Sequence, residues 1–251
     1  VDANLGSPGS KGEMRCRLFC DPQFPDIAFR WKELNFPGDP EAEPDAALFV
    51  IPQYLENPNV PGKNEMLKVI RFPNHNYTIV TATSYQGEVK KGFLTHWIQH
   101  VYERGGTGEH ASLKEFDIKK PDGSVKRVAM GCWGLSGSGK STHGLYAFTD
   151  KIAKRYEKEF GVNPLDLIVE QKLKNDDITA WFIDQAVSPE LGAWTKTEDV
   201  GEGQQGIFRA ASSPRALHEN TEWGEKGDVS FEGKLFQYRG MLNRNARTVL
   251  Y

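Results

Sequence analysis

Short apolar runs broken by turn residues fill the first third of the chain. Ala46–Ile51 (AALFVI) and Tyr77–Thr83 (YTIVTAT) are rich in β-branched and aromatic residues and bounded by Pro, Asp and Asn, so they predict strands. Nine of the fourteen prolines lie between Pro22 and Pro73, which makes the connections there loops. The period then changes. In Phe93–Val101 (FLTHWIQHV), Phe93, Trp97 and Val101 recur every four residues and predict a helix. Phe116–Ile118 and Val125–Trp133 flank Lys119–Ser124 (KKPDGS), whose Pro-Asp-Gly is turn chemistry, so the two read as a hairpin. Further on, Thr142–Phe148 reads as a helix. Asp150–Phe160 (DKIAKRYEKEF) reads as an amphipathic helix, with Ile152, Tyr156 and Phe160 laid on the core and Gly161 as its stop. Leu165–Glu170 (LDLIVE) reads as a buried strand that leads to NDD at Asn175–Asp177.

Composition narrows the class. With 251 residues, 38% hydrophobic and 26% charged, the chain has the length and balance of a globular protein with a real core. The net charge of −3 and scattered basic residues argue against a nucleic-acid surface. No apolar run approaches the roughly 18 residues that span a bilayer, and no basic-then-apolar leader predicts secretion. Three cysteines, Cys16, Cys20 and Cys132, give no disulfide framework and predict a reducing, cytoplasmic setting. Two sulfurs near each other do not make a zinc site. Val1 is not a methionine and Tyr251 closes an apolar run, TVLY, so a piece of a longer chain is expected.

The strongest chemical signal is GLSGSGKST, residues 134–142. Gly134, Gly139, Lys140 and Ser141 match G-x-x-x-x-G-K-[ST], between a predicted strand and a predicted helix. In such a loop, glycines let the backbone fold into a concave nest of inward N–H groups, and the helix N-terminus adds its dipole. Gly134, Leu135, Ser136, Gly137, Ser138, Gly139, Lys140, Ser141 and Thr142 are therefore the expected nucleotide-binding run. Lys140 is expected to reach the β- and γ-phosphates, and the Ser141 hydroxyl to complete a Mg²⁺ shell. Asp176 and Asp177, just past a predicted strand, are the candidate carboxylates for metal. Lys90 and Lys91 are expected at the C-terminal end of a strand, where ligands bind in open α/β sheets. His110 in GEHAS is uninformative by itself.

Taken together, TSYQGEVKKGFLT (Thr83–Thr95), GEHAS (Gly108–Ser112), GLSGSGKST, NDD and NAR (Asn245–Arg247) resemble the ATP-dependent phosphoenolpyruvate carboxykinases, in the same order and over nearly the whole chain. VDA at the start, AWTKT around Lys196 and ALHEN around Glu219 are weaker echoes. The loop is similar to that of the ATP-using branch, since the GTP-using branch carries Ala-Cys before its Gly-Lys. The resemblance implies a mixed α/β, two-lobed fold. Residues 1–125 would form part of a substrate lobe, and residues 126–251 part of a P-loop nucleotide- and metal-binding lobe.

The resemblance also implies ATP-dependent decarboxylation and phosphorylation of oxaloacetate to phosphoenolpyruvate. It implies that Lys91, His110 and Asp177 bind Mn²⁺ and that Tyr85 faces the substrate and departing carbon dioxide. It implies that Asp176 supports the Mg²⁺ of ATP, that Lys196 contacts phosphates, that Arg247 sits against the transferring phosphoryl group, and that Ser112 lies near the phosphate or metal waters. An amine ligates a metal only when neutral, so binding must displace a proton from a group that ordinarily keeps it to about pH 10.4. The sequence departs from the family in extra residues between Lys140 and Asp176, in NDDITAW, and in the surroundings of His110. Two other readings are open: a P-loop kinase of the same superfamily with a different acceptor, such as a protein serine, and a nucleotide-binding domain without catalysis. A pyrophosphate donor is also open. The oligomeric state is not legible.

Overall fold

The computed structural model describes residues 1–54, 67–134, 150–195, 216–219, 235–238 and 247–249. It is a mixed α/β fold with four sheets among those residues. The largest has six strands: β1 (Asp2–Leu5), β2 (Met14–Cys20), β3 (Phe36–Pro37), β4 (Ala46–Ile51), β5 (Lys68–Phe72) and β6 (Tyr77–Thr81), in the order β3-β1-β2-β4-β6-β5. β2, β4 and β6 run parallel, and the other neighbours antiparallel.

Alternation along the strands sorts the two faces of this sheet. Met14, Cys16, Leu18, Ala46, Leu48 and Val50 are buried on one face. Two helices cover it, α1 (Pro25–Leu34) and α2 (Gln86–Glu103). α1 starts with Pro25 at its first position, where a missing N–H is harmless, and buries Ile27, Trp31 and Leu34 at helical spacing. Trp31 stacks on Phe93 of α2 at 4.3 Å, and Trp97 Nε1 donates to the Gly12 carbonyl at 2.6 Å. The other face carries a row of aromatic rings, Phe19 on Phe49 at 4.7 Å and Phe72 on Tyr77 at 4.4 Å.

The second half of the chain builds smaller antiparallel sheets. β8 (Ala111–Lys119), β9 (Val125–Trp133) and β10 (Ile168–Asn175) form one of order β10-β8-β9. β7 (Thr107–Glu109), β11 (Thr179–Trp181), β12 (Gln185–Val187) and β16 (Arg247–Val249) form another of order β16-β12-β11-β7. β13 (Ala193–Thr195), β14 (Leu217–Glu219) and β15 (Leu235–Tyr238) form the last, with β15 central. Two further helices, α3 (Asp150–Phe160) and α4 (Pro164–Leu167), precede β10. No described helix is long and apolar enough to cross a membrane.

The strands at Ala46–Ile51 and Val125–Trp133 fall where the pattern places them, and the KKPDGS turn closes through Lys120 N–H to the Ser124 carbonyl at 2.8 Å. Four expectations need correction. β6 stops at Thr81 because Ala82 turns into the left-handed region (φ 57°), which ends the pleat. α2 begins at Gln86, so Lys90 and Lys91 lie within a helix and not at a strand end. In α3, Tyr156 and Phe160 are 43% and 63% exposed and pack on each other at 5.4 Å, so these two rings do not lie on the core. Leu165–Glu170 is divided, because Asn163 accepts from Leu165 N–H at 3.0 Å and Pro164 favours a first helical turn; the strand starts only at Ile168. The expected helix at Thr142–Phe148 lies outside the described residues.

Candidate active site

Strand register gathers the chemistry-bearing residues at one place. In the four-stranded sheet, Thr179 pairs with Glu109, Ala180 with Val187, and Val187 with Arg247. The end of β7, the start of β11, the end of β12 and the start of β16 therefore share one edge. His110 follows β7, Asp176 and Asp177 precede β11, Glu190 lies just past β12, and Arg247 opens β16. The three-stranded sheet abuts the same edge. Ala111 pairs with Trp133 and Leu113 with Asn175, so Gly134, which opens the phosphate-loop motif, leaves β9 beside His110 and the acidic turn. A ring pair joins the two sheets there: Trp133 stacks on Trp181 at 5.0 Å, and its Nε1 donates to Glu109.

The acidic turn is held by its own first residue. The Asn175 side chain donates to Thr179 Oγ1 at 3.0 Å and to the Ile178 carbonyl, and Thr179 Oγ1 donates to the Ala111 carbonyl at 2.9 Å. Such local side-chain bonds fix a turn that no ladder could. They aim Asp177 outward between Lys90 and His110. Asp177 Oδ1 lies 2.7 Å from His110 Nε2, and Oδ2 lies 3.0 Å from Lys90 Nζ. A carboxylate only accepts, so His110 Nε2 carries the hydrogen in this pair. Lys90 Nζ also lies 3.1 Å from Glu190 Oε2. Lys90 and Glu190 are buried, with side chains 5% and 2% exposed, while His110 is half open at 53%.

Burial and charge oppose each other throughout this cluster. Burial acts to raise the Asp177 carboxyl, but Lys90 and His110 together outweigh it and hold the group well below the usual carboxylate range. Burial acts to lower the Lys90 ammonium, but Asp177, Glu190 and Asp176 outweigh it and hold the proton more tightly than in water. One lysine cannot serve every carboxyl. Burial pushes Glu190 up to about 8 against the pull of Lys90, with Asp177 and Asp176 adding to the rise. Glu190 is thus biased toward its protonated form near neutral pH, and the Lys90 ammonium lies close to its Oε2 without a hydrogen bond between them.

The expected residues are distributed unevenly around this centre. His110 and Asp177 are in contact, and Asp176 is buried beside them at 2% exposure. Lys91 is exposed on α2, and the side chains that meet Asp177 are Lys90 and His110. Tyr85 caps the start of α2. Ser112 is 1% exposed, and its Oγ has no hydrogen-bond partner among the described residues. Leu135, Ser136, Gly137, Ser138, Gly139, Lys140, Ser141, Thr142 and Lys196 lie outside the described residues. Sequence reasoning overlooked Glu190 and treated Lys90 only as a neighbour. The available signal was one carboxyl within the otherwise uncharged run AVSPELGAW.

Among the described residues no group of three His, Cys, Asp or Glu side chains is placed to hold a metal. Imidazole and carboxylate are nonetheless suitable N and O donors for a hard or borderline divalent ion, and a lysine amine supplies the third ligand the resemblance implies. The ion pair with Asp177 holds Lys90 as an ammonium, which cannot ligate. Lys91 stands outside that pair.

Residues 8–238 match the family model described as phosphoenolpyruvate carboxykinase. A protein of Aeropyrum pernix named phosphoenolpyruvate carboxykinase (ATP) is 37% identical over 241 residues, covering 95% of this chain and 43% of the relative. Proteins of the same name from Christiangramia forsetii and Staphylococcus aureus are 26% and 25% identical over 72% and 76% of this chain. The chain spans less than half the length of these relatives, 29–43% of each.

Proposed function

The chain belongs to the ATP-dependent phosphoenolpyruvate carboxykinase family, and on that premise we propose that it takes part in converting oxaloacetate and ATP to phosphoenolpyruvate, carbon dioxide and ADP. The observation that carries this reading is the His110–Asp177 pair, 2.7 Å apart, set at the strand edge from which Gly134 enters the phosphate-loop motif. A metal-binding pair beside a phosphate cradle is what a reaction needs when it must form an enolate and phosphorylate it in one place.

In this reading, the carbon–carbon bond to the departing carboxylate breaks and leaves its electrons on the enolate. The enolate oxygen then attacks the γ-phosphorus of ATP in line, and ADP leaves. Lys140, Ser141 and the backbone from Gly134 to Thr142 hold the triphosphate, with Lys196 on its oxygens. Lys91, His110 and Asp177 would hold Mn²⁺, while Ser141 and Asp176 would hold the Mg²⁺ of ATP. When bound, the two ions supply charge neutralisation at the enolate and phosphoryl oxygens. Tyr85 faces the substrate, and Arg247 stabilises charge on the moving phosphoryl group. Residues 1–125 would form part of the substrate lobe and residues 126–251 part of the nucleotide- and metal-binding lobe.

The test is Mn²⁺- and ATP-dependent formation of phosphoenolpyruvate from oxaloacetate by the complete gene product. Lys140→Ala and His110→Ala are both expected to abolish it. If the unaltered protein binds ATP but makes no phosphoenolpyruvate, this reading falls. A phosphorylated protein acceptor would then identify a kinase of the same superfamily, and the absence of any turnover a binding domain.

A further inference from the structure

We propose that Gly87 is a positioning residue, whose missing side chain seats the Tyr85 ring against the first turn of α2 and so sets the direction of the phenol hydroxyl. Tyr85 is the N-cap of α2, with extended backbone (φ −68°, ψ 118°) and no capping bond from its side chain. Its main chain is fixed on both sides. Tyr85 N–H donates to Thr83 Oγ1 at 3.0 Å, and Glu88 N–H donates to the Tyr85 carbonyl at 3.1 Å. The ring folds back over Gly87. A Cβ built at Gly87 would lie 2.6 Å from Tyr85 Cζ and 2.9 Å from its Oη, and closer still to Cε1.

Glycine is not there for its backbone freedom. Gly87 is absent from the glycines with positive φ. In a helix, glycine is about 1 kcal/mol worse than alanine, so an unstrained glycine in the first turn calls for a packing reason. The three atoms nearest a methyl at Gly87 all belong to the far part of the Tyr85 ring. Those atoms move by side-chain rotation, so the substitution turns the ring aside and leaves the helix intact. The consequence for turnover rests on the proposed reading that Tyr85 faces the substrate.

The experiment separates the two. Tyrosine rings are labelled with ¹³C, the Tyr85 signal is assigned through Tyr85→Phe, and the protein is compared with Gly87→Ala. The Tyr85 ring signal is expected to shift while the melting temperature does not fall. In steady-state assays of the complete gene product, Gly87→Ala is expected to lower kcat/KM for oxaloacetate about tenfold, and to have no further effect in a Tyr85→Ala background, where the space is already free. A Tyr85 signal that stays in place in Gly87→Ala overturns the seating. An equal kinetic loss in both backgrounds also overturns it, because the effect would not pass through the ring. A shifted signal with unchanged kinetics upholds the seating and removes Tyr85 from the reaction.

Discussion

Lys90 and Lys91 show how little adjacency fixes a side chain's work. Lys90 is 5% exposed between Asp177 and Glu190, and Lys91 stands in solvent on the same helix. Removing one partner of a buried ion pair leaves the other charge uncompensated and costs about 3–5 kcal/mol. Lys90→Met is therefore expected to destabilise by about that amount in urea unfolding, whereas Lys91→Met changes stability by no more than about 0.5 kcal/mol and, on the proposed function, removes Mn²⁺-dependent turnover. Glu190 sets a pH dependence. Its carboxyl titrates near 4.5 when exposed and near 8 in the fold. Between those values the folded protein binds the extra proton, so the Glu190 contribution to metal-free stability falls as pH rises from 4.5 to 8 and then levels off. Glu190→Gln, measured by urea unfolding in chelator at pH 5, 7 and 9, is expected to lose that slope. The paired lysines and the NDD run were legible in the sequence. Which lysine is buried was not, because that depends on Asp177 and Glu190 arriving from segments far along the chain.

Elements were legible where one local rule governed them. Ala46–Ile51 alternates, and KKPDGS has turn chemistry that closes at Gly123 with φ 84°. α3 misled because its apolar stripe is intrinsic to the helix, while its placement depends on neighbours that periodicity does not describe. β8 shows another limit. It is the central strand of its sheet, and it buries Lys114 at 4% exposure and pairs Glu115 with Lys174 at 3.2 Å. Burial lowers the Lys114 ammonium to about 8 from 10.5. Below pH 8 the folded state carries the full penalty of that buried charge, and between 8 and 10.5 the unfolded chain holds more protons, so stability rises with pH. Lys114→Met is expected to raise stability at pH 7 by on the order of 1 kcal/mol, with the gain disappearing by about pH 10.5, as read from thermal melts across that range.

At the scale of the whole molecule, the site is an edge shared by two sheets, with α2 reaching in from the six-stranded sheet. Nothing local in the sequence announces that edge. It arises from the registers Thr179–Glu109, Val187–Arg247 and Ala111–Trp133, which are long-range pairings. A ligand bound there stabilises by mass action, about 2.7 kcal/mol at a hundred times its Kd. Mn²⁺ and ATP are each expected to raise the melting temperature, and His110→Ala to remove the Mn²⁺ shift while sparing that of ATP.

The Trp133–Trp181 stack stands where β9 gives way to Gly134, with Trp133 55% exposed and Trp181 more sheltered. Indoles stacked this closely couple their electronic transitions, and the open one meets collisional quenchers. Whatever shifts Trp133 against Trp181 therefore alters the ultraviolet circular dichroism and the fluorescence of the protein itself. The chain carries its own optical gauge of this edge, and needs no attached dye.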